Sequence, residues 1–238
     1  MKEEVVDMTT ETTPNMVNEH IVKIIGIKPV THNVKQFRLN RPGGYQFVPG
    51  QATEVSINKP EWKEERRPFT FTGLAEDPFL EFTIKIYNDH QGVTNVLGSL
   101  NAGDELILHD VFGAIQYKGR GVFIAGGAGI TPFISIFRDL YKKDQLRGNK
   151  LIYSNKTSAD VILRPELEQM LQQDFINVFT REDTIGFLGR RIDREFLIEN
   201  ISDFSQHFYV CGPDELVADI RKHLLELGAE ADYLVLEE

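Results

Sequence analysis

Two stretches of this sequence set glycines, hydroxyls, a ring and cations at spacings that suit a phosphate-bearing, flat-ringed ligand. In Val122-Phe123-Ile124-Ala125-Gly126-Gly127-Ala128-Gly129-Ile130-Thr131-Pro132, an apolar strand runs into glycines. A helix then opens with Thr131 at the N-cap and Pro132 at its first position. Glycines let a phosphate approach the backbone, and a helix start offers unpaired N–H groups and the positive end of a dipole. The spacing is not G-x-G-x-x-G, because Pro132 stands where the third glycine would be. A bare strand-to-helix turn would use the same glycines. In Arg66-Arg67-Pro68-Phe69-Thr70-Phe71-Thr72 a cation, a ring and a hydroxyl lie close together. They suit a phosphate clamp, a stacking surface and an edge hydrogen bond. Alternation puts Arg67, Phe69 and Phe71 on one face and Thr70 and Thr72 on the other. Composition alone favours the plainer reading, a barrel strand with core phenylalanines and an exposed arginine.

Two weaker signals accompany these. Asn88-Asp89-His90-Gln91-Gly92-Val93-Thr94-Asn95-Val96-Leu97 reads as a polar turn before a short helix, where Gly92 and Thr94 present N–H groups to a second phosphate or merely cap the helix. Phe208-Tyr209-Val210-Cys211-Gly212-Pro213-Asp214 places Cys211 at the carboxyl end of a strand, where open α/β sheets bind ligands. No positioned base accompanies this cysteine, so covalent cysteine catalysis is set aside. One cysteine allows neither an intramolecular disulfide nor a cysteine-ligated cluster. The six histidines are scattered without metal-ligand spacing, and no metal site is expected.

The elements that must position these residues fall into two kinds. Ile21–Ile27, Lys35–Leu39, Thr53–Ile57, Leu80–Tyr87 and Asp104–His109 largely alternate apolar and polar residues, and with the Arg66–Thr72 strand they predict a small antiparallel barrel or sandwich. After Gly119-Arg120-Gly121, short apolar strands (122–125, 150–153, 177–180, 207–211) alternate with helices (132–142, 165–173, 193–199, 214–227), which predicts a parallel sheet covered on both faces. The expected organisation is a disordered lead-in over 1–18, a β-barrel domain over 19–117 and an α/β domain over 118–238. With 26 Lys+Arg against 36 Asp+Glu, the net charge of −10 argues against nucleic acid as a partner. No apolar run approaches the ~20 residues needed to cross a bilayer, and no signal core opens the chain, so a soluble cytoplasmic protein is expected.

Taken in order, the four motifs resemble the ferredoxin–NADP⁺ reductase superfamily, over roughly residues 20–238. Arg67-Pro68-Phe69-Thr70 matches the family's R-x-Y-[ST] flavin motif with Phe in place of Tyr. Gly92–Asn95 resembles its G-x-x-[ST] motif displaced by one residue. Gly127–Pro132 and Cys211-Gly212-Pro213 match its nicotinamide-domain motifs, and Val48-Pro49-Gly50-Gln51 its barrel-strand turn. The resemblance implies an FAD-dependent NAD(P)H oxidoreductase that moves a hydride from nicotinamide to flavin. Electrons then leave to a separate acceptor: flavodoxin, ferredoxin or an oxygenase component. A free-flavin reductase and an electron-transfer subunit of a larger complex are the alternatives. FAD would be held by Arg67 on the pyrophosphate, Phe69 on the ring and Thr70 near N5, with Pro68, Ile86, Gly92, Val93 and Thr94. The pyridine nucleotide would be held by Gly127, Gly129, Thr131, Pro132, Thr180, Arg181, Cys211, Gly212 and Pro213, while Thr70, Cys211 and Glu237 stand at the chemistry. Thr180-Arg181, with Arg190 or Arg191 adding charge, tilts the choice to NADPH, although Phe187 stands near the expected tyrosine. The terminal Glu237-Glu238 carries no aromatic, so the family's ring lid is expected to be missing. Lys59, Lys63, Arg66 and Lys85 are the cations available for a local docking patch on this acidic chain.

Overall fold

A computed structural model of the chain describes residues 19–89, 91–113, 115–182 and 189–236; the lead-in to residue 18, His90, Phe187 and Glu237 lie outside them. Six antiparallel strands come first: β1 (His20–Thr31), β2 (Val34–Asn40), β3 (Gln51–Ile57), β4 (Arg67–Thr70), β5 (Phe79–Lys85) and β6 (Glu105–Gly113). Their order is β4-β3-β6-β1-β2-β5, and a bridge between Phe71 and Phe82 joins the two edges, so the sheet curls toward closure. The inward residues of the alternating strands fill it. Phe37, Leu39, Val55, Phe71 and Phe82 are fully buried, with Phe71 stacked on Phe47 at 4.1 Å and tilted on Phe82 at 4.9 Å. Each such side chain contributes about 1.5–3 kcal/mol by leaving water. A five-residue helix, α1 (Val93–Leu97), turns Val93 and Leu97 into this core.

The second sheet is parallel, in the order β11-β10-β7-β8-β9. Its strands are β7 (Gly121–Gly126), β8 (Lys150–Asn155), β9 (Phe175–Phe179), β10 (His207–Cys211) and β11 (Leu234–Leu236). Helices α2 (Thr131–Lys142), α3 (Arg164–Leu171), α4 (Arg194–Asn200) and α5 (Asp214–Glu226) connect them. Strand β7 is apolar throughout because both faces are covered. Phe123 and Ala125 pack toward α2 and α3, while Val122 and Ile124 pack toward α4 and α5. The strand β11 was not expected. It pairs in parallel with β10, matching Tyr209 with Val235.

The two sheets are tied along one side of α2. Ser135 Oγ accepts from Gly50 N–H at 3.0 Å, and Lys142 pairs with Glu76 at 2.5 Å. Arg138 Nη1 donates to Thr72 O at 2.7 Å and to Glu81 Oε1 at 2.6 Å, while its Nε and Nη2 reach Glu166 at 2.5 and 2.9 Å. Glu81 is 1 % exposed and also receives Arg38 Nε at 3.1 Å. Burial would lower the Arg138 pKa, but Glu166 and Glu81 outweigh it and hold the guanidinium more firmly charged than usual. The hairpin of β1 and β2 sends Val34 into the core beneath the parallel sheet, and His32 lies 3.8 Å from Asp160.

Candidate functional site

At the carboxyl ends of β7 and β10 the chain order of the parallel sheet reverses, the position at which open α/β sheets form a ligand crevice. The two loops there meet backbone to backbone. A Cβ on Gly129 would lie 2.4 Å from the Cys211 carbonyl oxygen, and one on Gly126 would lie 2.4 Å from Leu216 Cδ2. Gly127 serves differently. Its φ is +53°, and a Cβ there would meet nothing within 4 Å, so its backbone borders open space. Tyr153, whose hydroxyl is pushed up by burial and stays protonated, donates to Gly127 O at 2.7 Å and fixes this loop.

The loop differs in detail from the expected N-cap. Gly127–Ile130 forms a 3-10 turn that runs directly into α2, so Thr131 lies inside the composite helix and makes no capping bond. The turn begins at Gly126 with no side-chain cap and no acidic residue. The leading N–H groups and the positive dipole end are therefore those of the glycines themselves.

Facing this loop across a chamber of about 480 Å³ are Pro68, Phe69 and Thr70 from β4, then Thr83, Lys85 and Tyr87 from β5 and beyond. Thr94, Gly129, Thr131, Gly212 and Pro213 also border it. Phe69 is half-buried, tilted on Phe82 with ring centroids 6.5 Å apart. The chamber continues past Lys85, Gly126, Gly127 and Pro213 into a second of about 540 Å³ at the ends of β8 and β9, where Lys156, Thr157, Asp160, Thr180 and Arg181 stand. On its other side, Pro68, Thr70 and Gly212 are shared with a wider hollow of about 1140 Å³ that includes Glu54, Arg66, His109, Asp110, Arg221 and Leu236. These three spaces form one seam between barrel and parallel sheet. The two chambers that border the glycine loop, of about 480 and 540 Å³, have volumes in the range of small-molecule and cofactor sites.

The remaining expected residues are placed as follows. Cys211 is 1 % exposed, beneath Gly129 rather than on the chamber wall. Ile86 and Val93 belong to the barrel core, and Pro132 is buried within α2, so their side chains do not face the seam. Gly92 precedes α1 and supplies no side-chain cap. Arg67 is half-exposed, with Nη2 3.6 Å from Glu65, and borders none of these chambers, whereas Arg66 borders the wide hollow and reaches Glu19 at 3.3 Å and Glu54 at 3.7 Å. Arg190 pairs with Glu199 and stacks on Phe196 at 4.7 Å, so it is committed to α4 and not to a nucleotide.

Several seam residues were not singled out as ligand contacts from the sequence. Thr83, Lys85 and Tyr87 share one face of β5 and its extension, and that period-two spacing was visible in the sequence. Lys156, Thr157 and His109 carry no such signal. His109 is 2 % exposed and neither ring nitrogen makes a hydrogen bond. Burial, then the charge of Arg66, lowers its pKa, so it stays neutral near physiological pH.

A half-buried ring, three threonines and a lysine therefore border the same chamber as the glycine loop, with the Thr83 hydroxyl 3.1 Å from that of Thr72. This set fits an isoalloxazine lying on Phe69 with phosphates near Lys85 and Thr94, and a second nucleotide along Gly127–Gly129. Among the described residues no cluster of His, Cys, Asp and Glu is arranged to hold a metal ion, and no helix is long and apolar enough to cross a membrane.

Comparison with known proteins agrees with this geometry. Residues 123–222 match the model of the oxidoreductase NAD-binding domain family. The chain is 27% identical over 224 residues to NADH-cytochrome b5 reductase 1 of Eremothecium gossypii, covering 84% of this chain and 76% of that one. It is 28% identical over 155 residues to the reductase component of propane 2-monooxygenase from Rhodococcus jostii, of which it spans 41%. The fold is similar to that of a ferredoxin NADP⁺ reductase from Neisseria gonorrhoeae crystallised with FAD and NADP, with a TM-score of 0.78 and 23% identity, over 92% of this chain and 98% of that one.

Proposed function

We propose that the chain is an NAD(P)H-dependent flavoprotein reductase of the ferredoxin–NADP⁺ reductase type that passes electrons to a separate acceptor; its two-domain fold and the match of residues 123–222 to the oxidoreductase NAD-binding domain support this reading. The observation that carries this reading is the shared chamber. Phe69 and Thr70 on one wall face Gly127–Gly129 and Gly212 on the other. A bound FAD would supply the redox chemistry, taking two electrons from a reduced pyridine nucleotide and releasing them singly.

The chain's own residues supply position. Phe69 offers the stacking face, Thr70 offers a hydroxyl at the ring edge, and Lys85 and Thr94 offer a charge and a hydroxyl toward phosphate. Arg67 remains the outer clamp. It lies on the same strand face as Phe69, and its exposed pair with Glu65 is of the kind worth about 0–1 kcal/mol, weak enough to be exchanged for a pyrophosphate. Gly127–Gly129 hold the second nucleotide through backbone N–H groups, and the contact of Gly129 with Cys211 O fixes that loop against the neighbouring strand end. Holding two reactants in one chamber makes their encounter effectively unimolecular.

For the nucleotide we infer NADH. The expected preference for NADPH drew on Arg181 with Arg190 or Arg191 adding charge; Arg190 is engaged by Glu199 and Phe196, and Arg191 does not border the chamber that holds Arg181. Beside Arg181, the Glu182 carboxylate is fixed by Ser158 N–H and by Ser158 Oγ at 3.0 Å, a standing negative charge unfavourable to a 2′-phosphate. Of the four cations named for a docking patch, three are engaged and Lys63 stays exposed. Lys59 lies 4.0 Å from Asp104, Arg66 is paired with Glu19 and Glu54, and Lys85 turns into the seam. Gel filtration of protein loaded with FAD tests whether flavin is resident: co-elution supports this reading, and loss of the flavin supports a reductase of free flavin instead.

A further inference from the structure

One stripe of α2 runs from the nucleotide loop to the barrel. Thr131 borders the chamber, and Ser135, Arg138 and Lys142 follow at helical spacings of four, three and four, so all four lie on one side of the helix. Each of the last three is fastened to a different piece of the barrel: Gly50 N–H, then Thr72 O with Glu81, then Glu76. Thr72 lies two residues beyond Thr70 on the chain that carries the stacking ring, and its hydroxyl also bonds Glu81 Oε1 at 3.2 Å. Helix α2 is therefore a rigid strut with the glycine loop at one end and the Phe69–Thr70 segment clamped along its side. We propose that Arg138 is a positioning residue, which sets the distance between the glycine loop and the Phe69–Thr70 wall by joining α2 to Thr72 O and to the buried carboxylate of Glu81.

Arg138 is suited to this task in a way that its neighbours are not. Lys142 and Glu76 are both exposed, and the Ser135 bond is a single neutral one. Arg138 makes four directed bonds in one plane, two to Glu166 on its own side and two to the barrel. The barrel anchor is 1 % exposed and is held from behind by Arg38, so it cannot swing to follow a displaced helix. Loss of the guanidinium would free the angle between the halves while leaving the glycine loop, which is built by Gly129, Cys211 and Tyr153, intact.

The kinetic part of the test rests on the reductase reading above, and the structural part does not. Spin labels placed at Ile21→Cys on β1 and Ile198→Cys on α4, two exposed positions, report the separation of the halves in the full chain. The distance distribution is expected to be narrow with Arg138 present, at least twice as broad in Arg138→Met and in Glu81→Gln, and partly restored in Arg138→Lys. In FAD-loaded protein the limiting rate of flavin bleaching by NADH is expected to fall tenfold or more in Arg138→Met. Nucleotide affinity should change less than threefold, because an error of about 1 Å in placement can cost 10²-fold in rate. Lys143→Ala, which removes only the pair with Asp139 on the same helix, should leave both readouts unchanged. If Arg138→Met does not fold, Glu81→Gln and Arg138→Lys carry the test. A distance distribution as narrow in the folded variants as in the parent overturns the proposal. Failure of both NADH and NADPH to bleach flavin in the parent protein overturns the reductase reading instead and leaves the distance result to decide the role of Arg138.

Discussion

Phe69 takes the place of a tyrosine in the R-x-Y-[ST] pattern, and its half-buried ring still borders the chamber. Stacking needs the ring and not the hydroxyl, so Phe69→Tyr should bind FAD about as well as the parent. Phe69→Ala should weaken binding roughly tenfold, from loss of an aromatic pair worth about 0.5–1.5 kcal/mol beyond its area; fluorescence titration with FAD reads both. Arg67→Ala should weaken FAD more than Arg66→Ala does, because Arg66 is already satisfied by Glu19 and Glu54. Equal effects would remove Arg67 from the site. His109 carries a pH prediction. Burial and Arg66 lower its pKa in the folded chain below the ordinary 6.5, so just below that value the unfolded chain binds a proton that the folded chain does not. Stability should therefore rise as the pH climbs toward and through the ordinary histidine value of 6.5, and His109→Gln should flatten that rise in denaturation midpoints. These residue assignments were only partly legible in the sequence. The motif named Arg67, Phe69 and Thr70, but which of two adjacent arginines borders a cavity depends on neighbours such as Glu19 and Glu65, brought near only by folding.

At the scale of elements, Gly129 and Gly43 make a matched pair. A methyl on Gly129 would meet the Cys211 carbonyl at 2.4 Å, whereas one on Gly43 meets nothing within 4 Å. Gly129→Ala is expected to lose about 1–3 kcal/mol of stability and most nucleotide affinity, while Gly43→Ala stays within about 0.5 kcal/mol of the parent; thermal melts and nucleotide titration distinguish the two. The strands and long helices were legible because their periodicities are strong, two along β2 and β3 and 3.6 along α2 and α5. Strand β11 was not. Leu234-Val235-Leu236 is too short to carry a period and exists because β10 presents an unpaired edge. Glu81 misled in a similar way. In Leu80-Glu81-Phe82 it occupies an ordinary outward position, yet α2 lies across that face and brings Arg138 to it, a contact 57 residues apart in sequence. Removing Arg138 should cost about 3–5 kcal/mol, since it leaves a buried carboxylate short of a partner.

Across the whole molecule, a barrel and a parallel sheet each bring half of a site to one seam, and α2 fixes how far apart the halves stand. The wide hollow bordered by Arg66, Asp110 and Arg221 continues that seam on its other side. On the proposed reading Glu182 disfavours a 2′-phosphate beside Arg181: Glu182→Gln should improve NADPH utilisation at least fivefold and leave NADH nearly unchanged, as kcat/KM for the two nucleotides would show. The most direct measurement is an anaerobic titration of the purified, FAD-loaded protein, followed by its visible absorbance. A chain that retains its flavin and has it bleached by about one equivalent of NADH, with NADPH acting more weakly, is the expected result. A protein that takes up no flavin, or whose flavin spectrum neither nucleotide alters, contradicts the account at its centre.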